Sequence, residues 1–193
     1  MAAQRASEAR WSRRLLLAGL AALIGWFAFV RQQPVPLLDG FDFAVHEAGH
    51  LIAFPLPDVG MYLAGSVAQV AFPLAMAAYF AVRRDPAATG FCAAWAGASM
   101  WDVSVYVADA PVQALAIVGG NHDWAFVLGH YGALDRAGAI AGWIELAGGI
   151  ALLVGIALCF VPVPVRISAG APSARPRPVR GAVDVSGDPW ASG

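Results

Sequence analysis

Two histidines and a glutamate form the pattern His-Glu-x-x-His within an apolar stretch of this 193-residue chain: His46, Glu47 and His50. On a helix, side chains four residues apart project from one face, so both imidazoles can reach a single metal ion. The glutamate, one residue on, reaches a water bound to that metal. The spacing therefore indicates a Zn²⁺ site in which the metal lowers the pKa of its water to about 7 and Glu47 acts as the general base.

The pattern is improbable by chance and costly to bury, and both points favour a metal site. The chain has four histidines and three glutamates, and a random order of its residues gives the pattern in about one shuffled sequence in a thousand. Two histidines and a glutamate on one turn of an apolar segment are costly inside a membrane unless they are paired or bind something. The alternative is a set of polar side chains that satisfy one another within a helical bundle.

The motif and its surroundings resemble a known family. Residues 43–52, Phe-Ala-Val-His-Glu-Ala-Gly-His-Leu-Ile, are similar to the metal-binding helix of the site-2-protease-like membrane zinc metallopeptidases. Residues 65–69, Gly-Ser-Val-Ala-Gln, resemble the small-residue motif with a carboxamide that the family places beside its substrate cleft. Residues 107–110, Val-Ala-Asp-Ala, lie where the family has Leu-Asp-Gly. The resemblance covers roughly residues 40–160 and implies a peptidase whose third zinc ligand is Asp109.

The chain also departs from the family at this last motif. The family's Asn-x-x-Pro lead-in is missing, Asp102 stands near the position of its asparagine, and Ala110 replaces its glycine. Asp102, Tyr106 and Asp109 are spaced to lie on one face of a helix. Carboxylates within a membrane helix are candidates for function, and the alternative is that both are hydrated at the headgroup level.

Two further residues are alternatives for the third ligand. His122 and Asp123 follow a Gly-Gly-Asn sequence and precede a tryptophan, a residue typical of the membrane interface. They can complete the metal shell, orient a ligand histidine, or simply line a hydrated loop. The residues leave Asp109, His122 and Asp123 open, and the resemblance favours Asp109.

The composition indicates that lipid, and not water, surrounds most of the chain. The chain is 59% hydrophobic and only 13% charged, with a mean hydropathy of +0.63, whereas soluble domains are about a quarter charged. A net charge of −1 and the lack of a basic stripe with aromatics give no indication of nucleic-acid binding. We expect an integral protein of the lipid bilayer, in a bacterial inner (cytoplasmic) membrane.

Apolar segments and proline breaks predict the elements that position the motif. The fold class is all-α, a polytopic membrane bundle of four transmembrane helices plus a shorter motif-bearing helix. The transmembrane helices are predicted over 15–30, 62–82, 89–109 and 137–161. The motif helix, 40–54, begins with Asp39 as its N-cap and is too short to span the hydrocarbon core. We predict a cytoplasmic segment over 1–13, the membrane domain over 14–161 and a disordered cytoplasmic tail over 162–193.

The arginines predict the orientation. If the motif helix does not cross, ten arginines fall on one side and only Arg31 and Arg136 on the other; if it crosses, the split is five against seven. The positive-inside rule selects the first arrangement, with both termini cytoplasmic and the motif and His122 on the outer side. The ten are Arg5, Arg10, Arg13, Arg14, Arg83, Arg84, Arg166, Arg175, Arg177 and Arg180.

These observations favour a zinc metalloendopeptidase of site-2-protease type that hydrolyses a membrane protein or peptide substrate. A non-enzymatic divalent-metal-binding membrane protein, a sensor or handling factor with Glu47 as a further ligand, is the alternative. A catalytically inactive scaffold that binds membrane partners is a third possibility. The feature that separates the first two is a dry cleft with an open coordination position beside Glu47.

Overall fold

The computed structural model describes residues 1–115 and 121–162, and this part of the chain is helical without strands. The predicted tail therefore lies outside the described residues from 163 onward, as do Gly119 and Gly120. The elements are α1 (Ala2–Gly25), which continues into a π-helical turn (Trp26–Val30), α2 (Leu38–Ala53), α3 (Asp58–Val82), α4 (Pro86–Asp109), α5 (Asp123–His130), and a short 3₁₀ turn (Leu134–Arg136) that leads into α6 (Ala137–Cys159).

Three helical segments are long and apolar enough to cross a membrane. They are Ser7–Val30, Asp58–Val82 and Leu134–Cys159, and each exposes large apolar side chains, as expected of surfaces that face lipid. The described part of the chain thus has the helices of an integral membrane protein. Among the predicted transmembrane helices, the segment corresponding to α4 is not one of these three.

Helix α4 lies at the centre of the bundle. It packs against α1, α3 and α6 and has thirteen buried residues, most of them alanine, glycine or serine. Small residues let helix backbones approach closely. The backbones of α4 and α6 come close together at Gly97 and Gly148, where a Cβ on Gly97 would lie 2.5 Å from the carbonyl oxygen of Gly148. These small side chains allow three helices to surround α4.

At one end of the bundle, an ion pair joins α1 to the loop that precedes α4. The Arg13 guanidinium donates hydrogen bonds of 3.2 and 2.6 Å to the two carboxylate oxygens of Asp85, and this contact lowers the pKa of Asp85. Asp85 also caps α4 by accepting the N–H of Ala88. At the same end, Cys159 at the end of α6 donates to the carbonyl oxygen of Ala87.

The motif helix α2 lies antiparallel to α3 and is anchored to α4. Gly49 packs so tightly on α3 that a Cβ there would overlap the backbone of Ala64. Asp42, which is buried, accepts hydrogen bonds from Trp95 Nε1 (2.9 Å) and the Ser99 hydroxyl (2.8 Å) of α4. The expected N-cap residue Asp39 instead lies in the first turn, because α2 begins at Leu38.

Helix α5 is an element that the sequence did not predict as a helix. It is eight residues long, begins directly at Asp123 and is capped by His122, whose Nδ1 accepts the N–H of Ala125 at 3.2 Å. Trp124 Nε1 donates to the Ser66 hydroxyl of α3 at 3.0 Å. This contact holds the start of α5 against the same helix that packs on the motif.

We expect the substitution Gly97→Ala to destabilise the protein, because its methyl group would overlap the backbone of Gly148. Overpacking of this kind costs about 1–3 kcal/mol. Thermal unfolding in detergent, followed by circular dichroism, measures the effect. Gly19→Ala is the matched control, since nothing lies within 4 Å of the added methyl group. Equal unfolding temperatures for the two variants would contradict the close contact between α4 and α6.

Candidate metal centre

The two motif histidines converge on one carboxylate. The Nε2 atoms of His46 and His50 each lie 3.1 Å from Oδ2 of Asp123. The three ligand atoms lie within 4.8 Å of one another, and this is the one such group of histidine, cysteine and carboxylate residues within 1–115 and 121–162. His46 and Asp123 are buried and His50 is half-buried.

The contact made by Nδ1 of each histidine ring determines which ring nitrogen carries the proton. His50 Nδ1 lies 2.8 Å from the backbone carbonyl oxygen of Met61, which can only accept, so Nδ1 carries the proton. His46 Nδ1 lies 3.1 Å from Oε1 of Gln69. The Gln69 amide is oriented in turn, because its Nε2 donates to the carboxylate of Asp102 at 2.6 Å. His46 therefore also carries its proton on Nδ1.

Three acceptors consequently face one another. With both Nδ1 atoms protonated, each neutral imidazole directs the Nε2 lone pair toward Asp123, whose carboxylate has no proton to donate. For neutral rings this arrangement is repulsive, and the repulsion is relieved when a ring takes up a second proton and forms an ion pair with Asp123 or when a metal cation lies between the atoms. Ligands at about 2.0 Å from a tetrahedral zinc are about 3.3 Å apart, close to the 3.1 Å separations here. The donor set and its spacing fit a divalent metal.

Room for the imidazoles comes from Gly65 on α3. A Cβ at this position would lie 2.5 Å from Nε2 of both His46 and His50, closer than real Cβ contacts. The sequence Gly-Ser-Val-Ala-Gln over 65–69 thus serves the site directly. Gly65 admits the rings, Ser66 holds Trp124, and Gln69 orients His46.

The structure does not bring Asp109, the ligand that the family resemblance favoured, into this group. Its carboxylate lies at the end of α4 and accepts the backbone N–H groups of Ala114 (2.9 Å) and Leu115 (3.1 Å). It also lies 3.3 Å from Nε2 of His122. Of the three residues that the sequence left open, Asp123 is the one beside the motif histidines, because α5 begins there and directs its side chain between the rings.

Glu47 is placed beside the group but not in it. It is half-buried and lines a cavity of about 1050 Å³ whose wall also includes His46, His50 and Asp123. Within the described residues its carboxylate makes no hydrogen bond or ion pair. A carboxylate on the wall of such a cavity can reach water, as a general base must.

We expect Gly65→Ala to weaken metal binding by more than about 100-fold, because the methyl group would push both imidazoles away from Asp123. Isothermal titration of the metal-depleted protein with Zn²⁺ measures this. Gly60→Ala, on the same helix, adds a methyl group that meets only the Leu56 side chain at 3.4 Å. That control should bind zinc like the wild type, and equal affinities for both variants would contradict the described packing.

Gln69→Met should also weaken zinc binding, by about 10–100-fold, the usual effect of removing the partner that orients a ligand histidine. Methionine keeps the length of the side chain but offers His46 Nδ1 no good acceptor. Gln33→Met, at an exposed position, is the control. Unchanged zinc affinity in the Gln69 variant would mean that the His46 tautomer does not depend on this contact.

Comparisons with known proteins add nothing to this geometry. No protein-family model matches the chain, and neither the curated proteins nor the solved structures yield a match. The functional argument therefore rests on the residues and contacts of the chain itself.

Proposed function

We propose that this protein is a membrane-embedded zinc metallopeptidase that hydrolyses peptide bonds in a membrane protein or peptide substrate. The observation that carries the proposal is the convergence of His46 Nε2 and His50 Nε2 on one Asp123 oxygen, each at 3.1 Å. Three protein ligands and an open fourth position are the arrangement of catalytic rather than structural zinc.

The chain's own residues divide the proposed chemistry. A zinc ion held by His46, His50 and Asp123 would supply a Lewis acid and an acidified water. Glu47 would take the proton of the attacking water and transfer it to the leaving amine. The adjoining cavity of about 1050 Å³ is of a size to admit a substrate segment, and this favours an enzyme over a closed metal store.

The membrane arrangement that we propose has four transmembrane helices, with α4 as the fourth, and α2 as a short helix that does not cross. Both termini are then cytoplasmic, in an inner membrane, and the metal centre is near the outer side. Two contacts support this: Arg13 pairs with Asp85, and Cys159 bonds to Ala87. They bring the arginine-rich N-terminal segment, the loop after Arg84 and the end of α6 to one end of the bundle, as the positive-inside rule requires.

Single cysteines at Ser7, Asn121 and Ser173, in a chain lacking Cys92 and Cys159, test this orientation on intact cells. We expect an impermeant thiol reagent to label position 121 alone. Labelling at 173 but not at 121 would mean that the motif helix crosses the membrane.

Substitution of the proposed base tests the function. We expect Glu47→Gln to retain about one zinc per chain but to lower hydrolysis by roughly 10²–10⁴-fold, because an amide cannot accept the proton. The zinc-loaded protein is incubated with a library of apolar peptides, and new amino termini are counted by mass spectrometry. Glu8→Gln, at an exposed position on α1, is the matched control.

Two results would oppose the assignment in different ways. If Glu47→Gln loses its zinc, the glutamate is a ligand and the protein is better described as a divalent-metal sensor or handling factor. If the variant cleaves the same peptides at the wild-type rate, Glu47 is not the base.

A further inference from the structure

Asp123 is the ligand that most needs support, because it lies at the first residue of an eight-residue helix. The two histidines are four residues apart within α2, a helix packed on α3 along its length. Asp123 must reach them from a separate short element. What holds that element at the correct distance also controls the affinity for metal.

His122 links α5 to the end of α4. Its side chain is fully buried, and its Nδ1 accepts the N–H of Ala125 as the cap of α5. Because Nδ1 is an acceptor, the neutral ring carries its proton on Nε2. That atom lies 3.3 Å from Oδ2 of Asp109. The approach is not aligned as a hydrogen bond, and Nε2 has no other partner within the described residues, so the attraction is mainly electrostatic.

Asp109 is itself held in place. Its two oxygens accept the N–H groups of Ala114 and Leu115, which orient the carboxylate at the end of α4. One turn earlier, the Tyr106 ring stacks on His122 with centroids 4.2 Å apart and planes at 27°. The Tyr106 hydroxyl accepts the backbone N–H of Asp123 at 3.1 Å. Two successive turns of α4 thus contact two successive residues at the start of α5.

We propose that Asp109 and His122 are positioning residues that set the place of Asp123 at the metal, without touching the metal themselves. The inference rests on the metal centre of the proposed function. It gives Asp109 a role different from that of a ligand. Loss of either partner leaves all three ligands present but releases the one that comes from α5.

Cobalt binding separates a positioning residue from a ligand. We expect Asp109→Asn and His122→Asn to weaken Co²⁺ binding to the full-length protein in detergent by about 10–100-fold. Asparagine is a good helix cap, so His122→Asn keeps the start of α5 but removes the ring between Tyr106 and Asp109. The visible absorption spectrum of bound Co²⁺ should stay as in the wild type, because the ligands are unchanged. Asp123→Asn should alter affinity and spectrum together.

Asp135→Asn, at an exposed position, is the control and should match the wild type. Wild-type Co²⁺ affinity in both the Asp109 and His122 variants would overturn the proposal. So would a spectrum in either variant that changes as it does in Asp123→Asn, because that residue would then be a ligand.

Hydrogen exchange of the metal-free protein provides a second measurement that does not depend on the metal. We expect Asp109→Asn to speed exchange of the Asp123 and Ala125 amides, which Tyr106 and His122 protect. If the wild type binds no Co²⁺, the metal centre of the proposed function fails, and this experiment still decides the role of the pair. Unchanged exchange at both amides would then overturn it.

Discussion

The convergence of two imidazole nitrogens on one carboxylate is the constraint on which the rest of the site depends. The Nε2 lone pairs of His46 and His50 and a carboxylate oxygen of Asp123 face one another at 3.1 Å. Bringing them together requires a second proton on a ring or a metal cation between the atoms, and under the proposed function the surrounding contacts hold a metal-binding geometry.

Those contacts come from every helix near the site. Gly65 of α3 leaves space for the rings, and Met61 and Gln69 of the same helix fix the two tautomers. Asp102 of α4 orients the Gln69 amide. The Asp102 carboxylate and the Gln69 carboxamide are thus links in one chain of hydrogen bonds that ends at His46. Glu47 remains outside that chain, on the cavity side, where chemistry would occur.

Whether the sequence could predict a contact of this site depends on how far apart the two residues lie along the chain. The spacing of His46 and His50 is local, so the shared face of their helix followed directly from it. The structure confirms a helical fold over the described residues, with three helices long and apolar enough to cross a membrane, and proline breaks predicted the ends of α2 and α4 to within a few residues. Asp123 could not be selected over Asp109 in this way. Asp109 was predicted at the end of a helix and Asp123 on a loop, and only the packing of α5 against α3 and α4 determines which carboxylate meets the rings. The family resemblance favoured Asp109, and nothing in the local sequence around Asp123 outweighed it.

X-ray absorption at the zinc edge of the purified, zinc-loaded protein tests the central claim most directly. The account predicts about one zinc per chain, with nitrogen and oxygen ligands at about 2.0 Å and the outer-shell scattering of two imidazole rings. Replacing Asp123 with asparagine should weaken or alter that site. A protein that takes up no zinc, or zinc without imidazole scattering, would contradict the account, because His46 and His50 would then face Asp123 for some other reason.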